Sequence, residues 1–255
     1  MSNQTGFRII TFNLWNDPPS WPQRGPLTAR QLAALAPEVV ALQEVGVPDQ
    51  QTEPLIAALA AATELPYQSA GCELHRPDGW SEGLAVLTSF SIEASDALAV
   101  EEWGNVCQWV RLRTPEGRAL NLYNLHLNPH HDDLRHRQIA AIVDWTAVHP
   151  AADARLLCGD FNAIPQGSTV ARVRQAGFRS AHAEHHGQEP ARTFPTPLRP
   201  ELYERASGVC LDYIWLSPSS LAVRDCRVAL DQPDPENTVL YPSDHAGVVA
   251  DLVWG

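Results

Sequence analysis

Acidic, amide and imidazole side chains stand where the apolar runs of this chain stop. Asn13 ends the first run and Gln43-Glu44 the second, His126-Leu127-Asn128 follows a third, and Gly159-Asp160-Phe161-Asn162 closes a fourth. Asp212 opens a later run, and Ser243-Asp244-His245 comes just before the last one. Taken singly, each has an ordinary reading. Asn13 and Asn162 suit turns or caps, Glu44 suits a first solvated position, Asp160 a turn, Asp212 a local cap and His126 a satisfied core histidine. Together, Glu44, Asp160, Asp212 and Asp244 with Asn13, Asn162, His126 and His245 form a set whose members sit at strand ends, where a rigid sheet delivers side chains to a shared rim. Carboxylates brought within ~4 Å of one another would repel by several kcal/mol at protein-like dielectric. A hard cation, or histidines bonded to the acids, would relieve that repulsion. A donor set rich in oxygen and free of cysteine favours Mg2+ or Mn2+ over zinc.

The elements that must carry these residues follow from periodicity and turn signals. Residues 7–13, 39–44, 84–87, 106–113, 120–125, 156–160, 211–217, 221–228 and 248–254 read as strands. Residues 27–36, 53–63 and 132–148 read as helices, the last with Asp132 and Asp133 at its positive end and an apolar face of Leu134, Ile139, Ile142, Val143 and Trp145. Thr114-Pro115-Glu116-Gly117 joins two of the strands as a hairpin. Segments 182–208 and 231–243 read as long loops, with His182, Glu184, His185 and His186 solvated. Strands in both halves with helices between them predict an α/β fold, two packed sheets with helices outside. No repeat or linker divides the chain, so a single domain over 1–255 is expected.

Composition bounds the function. The chain has 255 residues, 44% of them hydrophobic and 19% charged, which fits a folded protein and not a disordered one. Thirty acidic residues against 18 basic ones give a net charge of −12, and lysine is absent. Such a balance disfavours a broad basic face for long duplex nucleic acid, whose binding rests on neutralised phosphates. It leaves phosphate chemistry open, because a bound divalent cation supplies positive charge locally. Cys72, Cys107, Cys158, Cys210 and Cys226 are too far apart for a zinc cluster or a disulfide framework. The first ten residues lack the apolar core of a leader peptide, and the longest helix-like apolar run, 55–62, falls short of the roughly 20 residues a membrane span needs. A soluble, cytoplasmic chain is the expectation.

Thr11-Phe12-Asn13, Leu42-Gln43-Glu44-Val45, Asn124-Leu125-His126-Leu127-Asn128, Gly159-Asp160-Phe161-Asn162, Leu211-Asp212-Tyr213-Ile214 and Ser243-Asp244-His245 resemble the endonuclease/exonuclease/phosphatase superfamily. The matches keep the family's order from residue 11 to residue 245. The resemblance implies a four-layer α/β sandwich of two mixed β-sheets flanked by helices, with a site at one rim. It also implies a metal-dependent phosphoesterase, a class that includes abasic-site endonucleases, pancreatic-type deoxyribonuclease, neutral sphingomyelinases and inositol-polyphosphate 5-phosphatases.

Roles follow from what phosphoester cleavage requires: neutralised phosphoryl oxygens, an aligned nucleophile and a stabilised leaving oxygen. Glu44 is the primary metal ligand expected, supported by Asn13 and by Asp244 directly or through water. Asp160 is expected to orient and deprotonate water, with Asn162 holding that water or the phosphate. His245 is expected on a phosphoryl oxygen, held in one tautomer by Asp212. His126 is expected as a phosphate contact or leaving-group acid, with Asn128 a weaker candidate, Thr193 a support and Glu82 a rim residue. Arg76, Arg111, Arg113, Arg135, Arg137 and Arg192 are candidates to face a ligand, as are Trp15, Trp21, Trp80 and Trp103. The substrate expected is a phosphodiester of nucleic acid, nucleotide or phospholipid-headgroup type. A phosphomonoesterase, and a non-catalytic scaffold that keeps the fold, are the alternatives.

Overall fold

A computed structural model describes residues 5–75, 81–100, 105–204, 208–219 and 221–255. Runs of aliphatic and β-branched residues form two six-stranded mixed sheets among them. The first contains β1 (Gly6–Asn13), β2 (Val39–Gly46), β3 (Gln68–His75), β4 (Ser81–Thr88), β11 (Leu221–Ala229) and β12 (Gly247–Trp254), in the order β11-β12-β1-β2-β4-β3. The second contains β5 (Ser91–Ala99), β6 (Asn105–Arg113), β7 (Ala119–His126), β8 (Ala154–Asp160), β9 (Arg179–Ser180) and β10 (Asp212–Leu216), in the order β5-β6-β7-β8-β10-β9. Each sheet has one parallel pair, β1 with β2 and β7 with β8. Parallel neighbours need a long crossover. Helix α1 (Trp21–Leu35) supplies the first and α3 (Asp132–Thr146) the second.

The sheets pack face to face through Ile9, Val39 and Val86 on one side and Val110, Leu120 and Leu156 on the other. Helices α1 and α2 (Thr52–Thr63) cover the first sheet's outer face, with Leu32, Leu55 and Leu59 against Ile10, Phe12 and Val40. Helices α3 and α4 (Ser168–Gln175) cover the second, with Ile139, Ile142, Val170 and Val173 against Tyr123, Leu157 and Trp215. The result is the four-layer α/β sandwich expected from the motifs.

Several elements differ from the sequence reading. Helix α1 begins at Trp21 rather than at residue 27, because Pro22 occupies the first turn, where a missing amide costs nothing, and Pro26 is absorbed inside the helix. Strands β3 and β5 were not expected. Both are sheet edges, and β5 alternates half-buried with exposed positions, so no apolar run marks it. The segment 182–208, read as loop, contains all but the first residue of α5 (Ala181–His186) and the whole of α6 (Pro200–Tyr203). Within it His182 and His186 are tied to backbone carbonyls, Nδ1 of one to Gln188 at 2.7 Å and Nε2 of the other to Cys226 at 2.6 Å. Among the described residues no helix is long and apolar enough to cross a membrane.

Candidate active site

Strand register gathers the site. His126 lies opposite Asp160 in the parallel β7–β8 pair, and Asp212 lies opposite Asp160 in the antiparallel β8–β10 pair. In the other sheet Asn13 lies opposite Gln43, one residue before Glu44. Gly159 allows the close approach of β7 and β8 beside Asp160. Its φ is +137°, and a Cβ there would sit 2.0 Å from the Leu125 carbonyl oxygen. Trp15, Glu44 and Asn162 also have left-handed backbones, with φ of 56°, 53° and 46°. Of the other described non-glycine residues with positive φ, Ala36 and Glu64 are helix C-caps. Strain held at Trp15, Glu44 and Asn162, all beside one cavity, aims their side chains.

Asp160 is the hub. Its Oδ2 accepts from Asn13 Nδ2 at 3.1 Å, and its Oδ1 accepts from the Asn162 amide at 2.8 Å. The Nε2 atoms of His126 and His245 each lie 3.7 Å from Oδ2. Behind His245, Nδ1 lies 3.0 Å from Asp212 Oδ2. Thr193 Oγ1 accepts from the Leu211 and Asp212 amides at 2.9 and 3.2 Å and so fixes the start of β10. On the opposite side His126 Nδ1 is 3.3 Å from Glu82 Oε1 and its Nε2 is 3.8 Å from Glu44 Oε1. Glu44 accepts from Asn13 Nδ2 at 3.0 Å and from the Asn16 amide at 3.0 Å. Asn13 is engaged through both ends of its side-chain amide. Its amide oxygen accepts from the Trp15 amide at 2.9 Å, and its nitrogen sits between two carboxylates, so it steadies Glu44 and Asp160 through its amide nitrogen.

Burial and neighbouring charge tune these groups. Burial pushes the Asp160 carboxyl up to about 6, with Asp212 adding to the effect and His245 and His126 opposing it. Burial likewise raises Asp244 to about 6, opposed by His245 and Arg199 and reinforced by Glu44. The imidazoles go the other way. Burial works against charge on His126, yet Glu82, Asp160 and Glu44 together raise it to about 9. Burial is also outweighed at His245, where Asp212 and Asp160 hold it well above the usual histidine range. Two imidazolium ions therefore offset part of the carboxylate charge.

Glu44, Glu82, Asp160, Asp244, His126 and His245 line one open cavity of about 280 Å³, walled by Trp15, Pro129 and Phe194. Glu44, in β2, and His245, just before β12, thus face the same space although they lie far apart along the chain. Two larger cavities, of about 620 and 650 Å³, lie at 188–191, and among the described residues neither holds three acidic, imidazole or thiol groups whose ligand atoms lie within 4.8 Å of one another. The ligand atoms of Glu44, Glu82 and His126 lie within 4.8 Å of one another, as do those of Asp160, Asp212 and His245. Asp212 Oδ1 is buried with no hydrogen-bond donor. A set rich in carboxylate, with no cysteine, fits a divalent cation.

Other expected residues lie elsewhere. Asn128 Oδ1 accepts from the His130 and His131 amides, so Asn128 shapes the turn after β7. Arg111 and Arg113 do not face the cavity, because both pair with Glu93 on the second sheet. Arg135 reaches the Asn128 carbonyl and Asp132. Arg192 stacks over Tyr203 beside the 620 Å³ cavity, and Trp21 lines a separate apolar cavity. Arg76, Trp80 and Trp103 fall outside the described residues. Arg24 and Arg199 were missed by the sequence reading. No motif marks either, since Arg24 is held mainly by backbone carbonyls, including that of distant Pro242, and Arg199 meets Asp244 only in the folded chain.

The family model for the Endonuclease/Exonuclease/phosphatase family matches residues 10–245. The chain belongs to the endonuclease/exonuclease/phosphatase family. The chain is 24% identical to Nocturnin of Drosophila melanogaster, with 91% of this chain and 42% of that protein aligned. It is 30% identical to the uncharacterized protein YbhP of Escherichia coli strain K12, over 69% of this chain and 64% of YbhP. The chain thus spans less than two thirds of the length of either curated relative. A solved structure of the human Nocturnin catalytic domain with bound sulfate anion is similar in fold, with TM-score 0.75, 22% identity and coverage of 98% of this chain and 94% of that one. Membership of the endonuclease/exonuclease/phosphatase family supports hydrolysis of phosphate esters and general dependence on a divalent metal.

Proposed function

We propose that the protein is a Mg2+- or Mn2+-dependent phosphodiesterase, with residues 1–255 acting as a single catalytic domain. The observation that carries the reading is Asp160, one buried carboxylate within 3.7 Å of two imidazoles and hydrogen-bonded to Asn13 and Asn162, on the wall of the cavity that also presents Glu44 and Asp244. Glu44, with Asp244, would hold a cation that neutralises phosphoryl charge and acidifies water. Asn13 keeps Glu44 and Asp160 apart while sharing one amide nitrogen between them.

Asp160 orients the attacking water and accepts its proton at Oδ2, the oxygen facing both imidazoles. Asn162 places its backbone amide on Asp160 Oδ1 and fixes that carboxylate's plane. His245 carries its charge on the ring that Asp212 orients, and donates from Nε2 to a phosphoryl oxygen as negative charge builds. His126, braced by Glu82 at Nδ1, turns Nε2 to the cavity, where it donates to a second phosphoryl oxygen or to the departing oxygen. Trp15 and Phe194 form apolar walls for the ester's organic limb. The net charge of −12 favours a small phosphodiester or single-stranded end over long duplex DNA.

The test is hydrolysis of bis(p-nitrophenyl) phosphate against p-nitrophenyl phosphate, with Mg2+ or Mn2+ and with chelator. Metal-dependent turnover that prefers the diester is the expected result. Preference for the monoester would replace the reading with a phosphomonoesterase. Silence on both, together with no metal binding by calorimetry, would leave a scaffold that keeps the fold.

A further inference from the structure

Among the described residues the reaction cavity is lined by four carboxylates and no arginine, yet a phosphate ester brings more negative charge to it. Arg199 is an arginine that reaches two of the cavity's lining residues. Its Nη1 lies 3.8 Å from Asp244 Oδ2, and its guanidinium carbon lies 5.6 Å from the centre of the Trp15 ring. Asp244 and Trp15 both line the cavity. The placement is built rather than incidental. Thr196, three residues earlier, donates its amide to the Asp244 carbonyl at 2.7 Å and its hydroxyl to the Ser243 carbonyl at 2.5 Å. The Arg199 amide in turn bonds the Thr196 carbonyl at 3.1 Å. Glu201 takes the Nε hydrogen at 2.7 Å, while Nη1 stands on the Asp244 side of the group. The side chain is one third exposed, at 34%, so an incoming anion can reach it.

We propose that Arg199 is the specificity-determining cation of this site and binds a second phosphate on the substrate, beyond the ester that is cleaved. The proposal rests on the phosphodiesterase reading above and deepens it: the preferred substrate is a phosphate-rich ester of nucleotide type, its organic limb against Trp15. A guanidinium suits this task because it pairs with phosphate through two parallel donors. An exchange is built in. Arg199 lies 3.8 Å from Asp244, and a phosphate would offer it a doubly charged partner at the same place. Trp15, held in a left-handed backbone and flanked by the buried Arg24 guanidinium at 4.9 Å, gives the arginine a rigid aromatic neighbour.

Two substrates with the same reacting ester separate the possibilities: thymidine 5′-(p-nitrophenyl phosphate) and its 3′-phosphorylated form. In Arg199→Gln, KM for the 3′-phosphorylated substrate should rise about tenfold or more, the scale of a charge-assisted contact, with kcat little changed. KM for the unphosphorylated substrate should stay within about twofold, and Arg199→Lys should recover part of the loss. Equal losses on both substrates, or no loss on either, would overturn the proposal. Binding of thymidine 3′,5′-bisphosphate measured by calorimetry gives a readout independent of turnover. About tenfold weaker binding in Arg199→Gln supports the proposal, and unchanged affinity overturns it. If wild type turns over neither ester, the phosphodiesterase reading fails by itself, and the bisphosphate titration still decides the role of Arg199.

Discussion

The side-chain nitrogen of Asn13, at the end of a strand in the first sheet, donates to Asp160, at the end of a strand in the second, at 3.1 Å. The same nitrogen lies 3.0 Å from Glu44. One amide group therefore ties the two sheets together at the rim where the acids collect, and it separates two carboxylates that would otherwise face each other directly.

Replacing that amide by an acid isolates its effect. Asn13→Asp sets a third carboxylate against Glu44 and Asp160, and should cost metal-free protein roughly 2 kcal/mol or more. Added Mg2+ or Mn2+ should return part of the loss, since a cation relieves the same repulsion. Chemical denaturation with chelator and with metal measures both numbers. An equal loss in the two conditions would show that the acids are not sharing a cation.

Asp160→Asn and His245→Ala should each lower turnover about a hundredfold or more, the usual scale for an acid–base group. Circular dichroism and thermal melts should show the fold retained. Asp212→Asn should lower turnover as well, because His245 then loses the partner that sets its tautomer. Near-normal rates in both Asp160→Asn and His245→Ala on a true substrate would remove the proposed mechanism.

His126 supplies a pH signature in chelator-treated protein. Its pKa of about 9 lies above the ordinary 6.5, with burial outweighed by Glu82, Asp160 and Glu44. A raised pKa means that the folded state holds the proton more tightly than the unfolded chain. The resulting stability is complete below pH 6.5 and is lost as pH rises through about 9. The difference in unfolding free energy between wild type and His126→Gln should therefore shrink from pH 6.5 to pH 9. A difference that stays constant over that window would contradict the charged assignment.

Arg24 should prove a structural linchpin of the rim. It is fully buried, and its guanidinium donates to the carbonyls of Leu14, Trp15 and Pro242, each at 2.8 Å. These carbonyls belong to the loop that carries Trp15 and to the segment just before Ser243-Asp244-His245. Arg24→Met takes a donor from all three carbonyls; that of Trp15 keeps the Asp17 amide and that of Pro242 keeps Thr28 Oγ1 at 3.4 Å, so the buried Leu14 acceptor is left without a partner, and a loss of about 1–3 kcal/mol is expected by denaturant titration. Arg24→Lys, with one ammonium to share, should fall between. Wild-type stability in Arg24→Met would show that these loops are held by other contacts.

What was legible in the sequence was local. The types of residue that follow an apolar run depend on chain order alone, so Asn13, Glu44, His126, Asp160, Asp212 and Asp244-His245 could be read as strand-end chemistry. The buried central strands were legible for the same reason, since their apolar runs are unbroken; β7 is buried at every position. Edge strands β3 and β5 were not, because half of an edge faces water and the pattern that marks a strand fades. Tertiary structure alone decided that the two sheets share one rim. It paired Glu82 with His126, turned the Asn13 oxygen to Trp15 and sent Arg111 to Glu93. It also set Arg24 beneath Trp15 and Arg199 beside Asp244. The pairs of Glu82 with His126 and of Arg199 with Asp244 join residues 44 and 45 positions apart along the chain, and the geometry of such contacts is set by sheet register and packing. No spacing rule encodes a distance between two strands that meet only after the chain has folded.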